Sequence, residues 1–296
     1  MGRLFAILAA ICNSFIGIFS NKLYAFGMNS SSIAFFRCVI ALLLICTFAI
    51  NKNFRSKICD VNKKQLIKYA LLAFLGIFTM YSFEILAIKF IPVSLVSFLL
   101  YSSGIITIIL GCIFLNEKFN LKKLLSIIFV FAGIFIMFVS NLTVEGNFIG
   151  LVMALLAGTG YSLFLFSMKK FNLESSLKTL FYLFLFGSMY LSMPLLIYGD
   201  INISINCLPY LIALSIIPTI GGFYCTNKAL SLIDAGKVQL FEMMEPFIAS
   251  VLAYIILGQV ITIYDLIAGI LIMSGLLILD INKINSLIKN NFHKMQ

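Results

Sequence analysis

A chain of 296 residues in which 62% are hydrophobic and 11% are charged has too few polar residues for a soluble domain of its length. Apolar runs of about 20 residues recur along it and favour membrane-spanning helices over a β-barrel, whose strands alternate over about 10 residues. The basic residues behind the net charge of +10 lie in short loops between these runs, so the charge indicates membrane topology and we expect no nucleic acid partner.

The apolar runs predict ten transmembrane helices, which we number in chain order as spans 1 to 10. They cover residues 3–22, 33–50, 67–89, 93–115, 121–140, 147–168, 177–198, 208–231, 236–257 and 262–281. Lysine and arginine concentrate after spans 2, 4 and 6 and in the tail behind span 10. Because basic loops remain on the inner side, we expect a multi-pass protein of the cell membrane with both termini in the cytoplasm.

Cysteine and histidine give no sign of a metal site or of catalysis. The seven cysteines are scattered without a CxxC pair, and the single histidine, His293, lies in the polar tail. Cysteine inside an apolar run behaves as a small hydrophobe. The sequence also lacks the phosphate-binding loop G-x-x-x-x-G-K-[ST]. We therefore expect no cofactor, no metal, no catalytic residue and no enzyme activity.

The second half of the chain repeats the first at low identity. A shift of 142 residues pairs Ala87 with Ala229, Val96 with Val238, Leu115 with Leu257 and Gly133 with Gly275. A shift of 148 residues places Gly2, Ala6, Ala10 and Ser14 on Gly150, Ala154, Gly158 and Ser162. Small residues four apart let membrane helices approach closely.

Five spans in each half make the two halves insert in opposite orientations, since five is an odd number. The prediction is an all-α polytopic membrane protein with ten transmembrane helices arranged as two inverted five-helix repeats. The repeats are residues 1–143 and 144–282, and a basic cytoplasmic tail, 283–296, follows them. Secondary transporters have this architecture, with the substrate site near the midplane where the repeats meet.

Span 9 carries two carboxylates and a proline inside an otherwise apolar segment, at Glu242, Glu245 and Pro246. An ionised carboxylate at the centre of the hydrocarbon costs about 2.5–3.5 kcal/mol on insertion scales. The two glutamates are three residues apart and share a helix face, and Pro246 leaves the Glu242 carbonyl without its helical donor. We predict a broken helix that lines a cavity, in which Glu242 takes a proton during the cycle or holds a substrate ammonium.

Three further charged residues lie inside spans, at Arg37, Glu84 and Lys228. Arg37 either reaches the interface or a carboxylate as a structural residue, or it anchors a substrate carboxylate. Glu84 is expected to line the cavity together with Glu242. Lys228 either pairs with one of these two glutamates or binds substrate.

Polar aromatic and amide side chains occur at membrane depth as well. They are Tyr81, Tyr101, Tyr161 and Asn13. Tyrosine rings stack on flat or cationic ligands, so these side chains are candidates for the wall of the substrate site. The alternative is that they only form hydrogen bonds between neighbouring helices.

The chain resembles the EamA-type ten-helix transporters of the drug/metabolite transporter superfamily. Glu245-Pro246 and the segment 113–118 that closes span 4 carry the resemblance, as do the glycine-containing helices 124–138 and 266–279. It extends over nearly the whole chain. The chain departs from the family pattern at Gly104, where proline is frequent, and at Gln259, where glutamate is frequent.

The resemblance implies a central cavity lined by spans 1–4 and 6–9, with spans 5 and 10 at the periphery and short hairpins as gates. It also implies that Glu245 and Pro246 belong to a helix break or gate. The expected function is secondary-active transport, in the direction of export, of a small polar or amphipathic metabolite such as an amino acid. The expected partners are this substrate, the lipid bilayer and a coupling ion such as the proton, and a homodimer remains open.

Two other functions remain open at this point. One is a lipid-modifying membrane enzyme, and the other is a structural or signalling subunit in which the buried charges only fix helix packing. Charge-neutralising substitutions separate them from a transporter, because a transporter loses flux while keeping its fold.

Overall fold

The computed structural model describes residues 1–48, 58, 60–88, 90–91, 93–140, 148–173, 175–198, 204–258 and 261–295. These residues form helices joined by short turns, and no strand occurs among them. The helices are α1 Gly2–Ala25, α2 Ser30–Phe48, α3 Lys63–Ala73, α4 Met80–Ile88, α5 Val93–Ser102, α6 Gly104–Phe114, α7 Leu121–Ser140, α8 Phe148–Phe171, α9 Leu177–Tyr198, α10 Leu208–Leu214, α11 Phe223–Leu232, α12 Ala235–Glu242, α13 Glu245–Leu257 and α14 Ile263–Met295. Two π-helical segments, Phe74–Thr79 and Ser215–Gly222, connect α3 to α4 and α10 to α11, and a 3₁₀ turn, Ile205–Cys207, precedes α10.

These helices confirm the predicted all-helical, multi-pass architecture. Six spans each correspond to a single helix, namely α1, α2, α7, α8, α9 and α14. Spans 3, 4, 8 and 9 each consist of two consecutive helices. Within the described ranges, seven helical stretches of at least 18 residues are apolar enough to cross a membrane, three of which join consecutive helices, and Leu99–Phe114 and Ile263–Leu279 are shorter apolar stretches. The helix of span 10 continues through the predicted tail as far as Met295.

Spans 5 and 10 form a pair of their own, because α7 and α14 pack along one another. Glycines make the close approach possible. A Cβ atom added to Gly133 would lie 2.8 Å from the carbonyl oxygen of Ala268, and one on Gly275 would lie 2.9 Å from that of Ser126. The shift of 142 residues found in the sequence relates both pairs, so each repeat contributes the same contact.

The starts of α1 and α8 show the same equivalence. A Cβ on Gly2 would lie 2.7 Å from Ile233 Cγ2, and one on Gly150 would lie 2.7 Å from Ile91 Cγ2. Each helix therefore begins against the turn between two spans of the other half. We call the face of the bundle at Gly2 and Ile233 the N-terminal face, and the other the opposite face.

We predict that Gly133→Ala and Gly275→Ala each lower the stability of the protein. The new methyl group meets backbone oxygen across the α7–α14 contact, and overpacking of this kind typically costs about 1–3 kcal/mol. The melting temperature of the detergent-purified protein measures the effect. Gly17→Ala is the control, because a Cβ there has no neighbour within 4 Å. Equal melting temperatures for all three variants would contradict the close contact.

Candidate functional site

Span 9 is interrupted near its middle. The helix α12 ends at Glu242 and α13 begins at Glu245, and a turn of two methionines separates them. In this turn the amide of Met244 donates to Phe241 O at 3.1 Å, three residues back, so the regular helical pattern is broken. Both carboxylates therefore lie inside the bundle, Glu242 at the last residue of α12 and Glu245 at the first residue of α13.

Glu242 is buried, with 1% of its surface exposed, and two other helices supply its partners. Tyr161 Oη, from α8, donates to Glu242 Oε2 at 2.8 Å, and Thr226 Oγ1, from α11, donates to Oε1 at 2.5 Å. No ion pair joins Glu242 to a lysine or arginine in the described part of the chain. A buried carboxylate without a counter-charge is costly, so a proton or a cationic ligand must balance it.

Glu245 lies at the other end of the break. Tyr101 and Asn13 line the same space beside it. Together with Glu242 and Tyr161, this places two carboxyl groups and two tyrosines around one cleft where spans 1, 4, 6 and 9 meet.

A central cavity of about 660 Å³ extends from Glu245 toward the opposite face. Its wall is formed by α1, α2, α4, α5 and α13, and it reaches Tyr24 and Ser30 at the turn between α1 and α2. The side chain of Tyr24 is 47% exposed, so the cavity ends at the surface there. A narrow cleft, lined by Tyr161, Thr226 and Glu242, shares several wall residues with it: Asn13, Ile16, Tyr81, Tyr101 and Glu245.

The N-terminal face is closed by buried polar contacts. Glu117 accepts the amides of Ala235 and Gly236 at 2.6 and 3.2 Å, and Lys123 Nζ at 3.2 Å. These amides are the free donors at the start of α12, where a negative charge is favourable. Lys123 is itself 1% exposed, so the pair is shielded from water.

The same turn is held from its other side by Lys169. Its ammonium donates to the carbonyl oxygens of Leu230 at 2.6 Å and Ile233 at 2.9 Å, at the end of α11, where a positive charge is favourable. We call Glu117, Lys123 and Lys169 the N-terminal latch. The latch fixes the α11–α12 turn to the ends of α6 and α8.

Buried hydroxyl contacts lie between the latch and the cavity. Thr107 Oγ1 bonds Ser162 O at 3.2 Å and Gln239 Oε1 at 3.3 Å, and Ser162 Oγ donates to Ser103 O at 2.7 Å. These contacts join α6, α8 and α12 between Glu242 and the N-terminal face of the bundle.

Arg37 lies in the cavity wall and is 4% exposed. Its guanidinium carbon is 3.8 Å from the centre of the Tyr81 ring, and its Nε has no hydrogen-bond partner. Glu84 lines the same cavity, but no ion pair joins it to Arg37 among the described residues.

Most of the predicted site residues are thus brought together around one space. The cavity and its cleft are lined by Asn13, Arg37, Tyr81, Glu84, Tyr101, Tyr161, Glu242, Glu245 and Pro246. Lys228 is not among the lining residues, and within the described ranges it forms no ion pair with Glu84 or Glu242. Gln259 lies outside the described residues. The span 4 helix is interrupted at Ser103, next to Gly104, although no proline is present.

Sequence reasoning did not identify the latch as a functional group. Glu117 entered only as part of a family motif, and Lys123 and Lys169 counted only as topology signals. The carboxylate of Glu117 and the amides that it accepts are 118 and 119 residues apart, and no local spacing indicates such a contact.

Glu117→Gln is predicted to loosen the start of α12. Hydrogen bonds to a charged acceptor contribute about 1.5–3 kcal/mol, so the amides of Ala235 and Gly236 should exchange hydrogen about 10- to 100-fold faster. Hydrogen–deuterium exchange of peptides that contain residues 235–236 measures this.

Lys237→Gln is the matched control for this experiment. It removes the neighbouring pair with Asp234, whose side chains are about one-third exposed, and such surface pairs stabilise little. If the two variants exchanged alike, Glu117 would not hold α12.

The family model described as the EamA-like transporter family matches residues 1–139 and 148–280. An uncharacterized transporter of Archaeoglobus fulgidus is 23% identical over 280 residues, which cover 94% of this chain and 95% of the relative. The uncharacterized transporter YdfC of Bacillus subtilis is 20% identical over 274 residues, with 90% and 87% covered. A solved crystal structure superposes on this chain with a TM-score of 0.82 at 13% sequence identity. The match covers 94% of this chain and 95% of the chain in the solved structure, and it shows the same fold.

Proposed function

Because the chain belongs to the EamA-like transporter family, we propose that it is a secondary-active exporter of a small polar or amphipathic metabolite, such as an amino acid. The substrate crosses by alternating access through the central cavity. Membrane transport itself follows from the family, and the substrate, the direction and the mechanism are the proposal.

The observation that carries the proposal is a cavity that opens at one face and is closed at the other. The central cavity reaches the opposite face at Tyr24, and the latch at Glu117 and Lys169 closes the N-terminal face. Alternating access needs a site that is reached from one side at a time. A volume of about 660 Å³ lies within the range of small-molecule sites and accommodates an amino acid.

Charge in the loops supports an orientation. The N-terminal face carries the lysine-rich segments that follow spans 4 and 6, including Lys118, Lys122 and Lys170. We propose that this face is cytoplasmic, by the positive-inside rule. The structure then corresponds to an outward-facing state, from which a substrate leaves the cell.

In this proposal, Glu242 and Glu245 couple the export of substrate to the uptake of protons. In the absence of a paired cation, each can be balanced by a proton or by the ammonium group of a substrate, and the two cannot occupy one carboxylate together. In the outward-facing state a proton displaces the substrate. When the latch opens and the opposite face closes, the proton is released to the cytoplasm and a new substrate binds.

Glu242→Gln is expected to lower export by about tenfold or more, since it removes an ionic contact worth about 1.5–3 kcal/mol, and to remove its pH dependence. Metabolites are compared inside and outside cells that produce equal amounts of wild type, Glu242→Gln or Asp234→Asn. The last variant is the control, because it makes the same kind of change at an exposed pair on the N-terminal face.

A solute whose distribution shifts with wild type and with Asp234→Asn, but not with Glu242→Gln, supports export through the cavity. If no solute shifted with wild type, in rich and in substrate-loaded media, the transport proposal would give way to a packing or enzymatic role of the buried charges. Normal export by Glu242→Gln with unchanged pH dependence would remove Glu242 from the mechanism.

A further inference from the structure

Arg37 is a buried cation that forms no ion pair among the described residues. Its ionisable neighbours are Cys38, Glu84 and Tyr24, and none of them forms an ion pair with it. It lies on α2 in the wall of the central cavity, and its Nε has no hydrogen-bond partner. Leaving a buried charge unpaired is strongly unfavourable, so a guanidinium in this state indicates a ligand of opposite charge.

Tyr81 fixes the orientation of this guanidinium. The two groups are 3.8 Å apart, which is a cation–π contact, and Tyr81 also lines the cavity. The ring covers one face of the guanidinium and leaves the N–H edge for hydrogen bonds. This edge matches the two oxygens of a carboxylate, which it binds through two parallel bonds.

The remaining charges of the cavity have the opposite sign. Glu84 and Glu245 line it together with Arg37, so one cation and two carboxylates surround the same space. An inorganic anion would satisfy Arg37 but would leave both glutamates without a positive partner. An organic cation without a carboxylate would leave Arg37 unpaired. A zwitterion gives Arg37 an anionic partner and gives the two glutamates one cationic partner to share, and it leaves the net charge of −1 of these three groups unchanged.

We propose that Arg37, held against Tyr81, is the binding site for the carboxylate of the transported substrate, and that the substrate is a zwitterionic amino acid whose ammonium group faces Glu84 and Glu245. This inference rests on the proposed transport function and narrows its substrate class. Of the two roles that the sequence left open for Arg37, it favours the anchor of a substrate carboxylate, because Arg37 is 4% exposed and forms no ion pair with a carboxylate among the described residues.

The test uses the purified full-length protein and a panel of free amino acids, with binding measured by calorimetry. The amino acid that binds most tightly is then compared with its own amide, which keeps the ammonium group and the side chain but lacks the carboxylate. Wild type should bind the acid about 10- to 100-fold more tightly than the amide, because an ionic pair of hydrogen bonds is lost. Equal affinity for the two compounds, or no binding of any amino acid, would overturn the inference, and neither result needs a variant.

Variants assign the preference to Arg37. In Arg37→Gln the affinity for the acid should fall to that for the amide, while the affinity for the amide stays at its wild-type value. Lys228→Gln is the control, because Lys228 is also a cation within a span but does not line the cavity, so this variant should bind both compounds as wild type does. An Arg37→Gln protein that loses affinity equally for both compounds would show a structural role instead.

The two proposals fail in different ways. If wild type exported a solute that lacks a carboxylate, and bound that solute in the cavity, the transport function would stand and the assignment of Arg37 would be wrong. If wild type bound the amino acid with the predicted preference but moved no solute, the binding site would stand and the transport proposal would be wrong.

Discussion

The arrangement of the bundle depends on one constraint, which is that polar groups within the hydrocarbon layer must find their partners inside the protein. The break between Glu242 and Glu245 places two carboxyl groups and an interrupted backbone at that depth. Two other helices supply hydrogen bonds to Glu242, from Thr226 on α11 and Tyr161 on α8, and Tyr101 on α5 lines the cleft beside Glu245. The cavity exists where these helices converge on the break, and its polar wall follows from the same requirement.

Close helix contacts hold this convergence in place, and they occur in matched pairs. Gly133 and Gly275 bring α7 and α14 together, and Gly2 and Gly150 seat α1 and α8 on the turns of the other half. These close contacts occur at the ends of α1 and α8 and in the peripheral pair, away from the break between Glu242 and Glu245.

Hydropathy and charge were sufficient to predict the helical membrane fold, because each helix that crosses a bilayer needs about 20 apolar residues. The carboxylates of span 9 were also predictable as cavity residues, since lipid excludes them. The position of Lys228 outside the cavity wall was not predictable. It follows Thr226 by two residues, and residues two apart on a helix face different directions, so the face that reaches Glu242 excludes Lys228. The latch escaped prediction for another reason, because a hydrogen bond from the start of α12 to a carboxylate at the end of span 4 leaves no periodic trace.

The π-helical segments Phe74–Thr79 and Ser215–Gly222 occupy equivalent places in the two halves. A π turn contains one residue more than an α turn, and one residue corresponds to about 100° of rotation about the helix axis. The extra residue therefore sets the angular phase of everything that follows it in the same span. In span 3 it directs Tyr81 and Glu84 to the cavity, and in span 8 it directs Thr226 to Glu242. The hydrophobic length of each span and the direction of its polar face are thus adjusted separately, which allows a helix to remain anchored in lipid while its inner surface is reoriented.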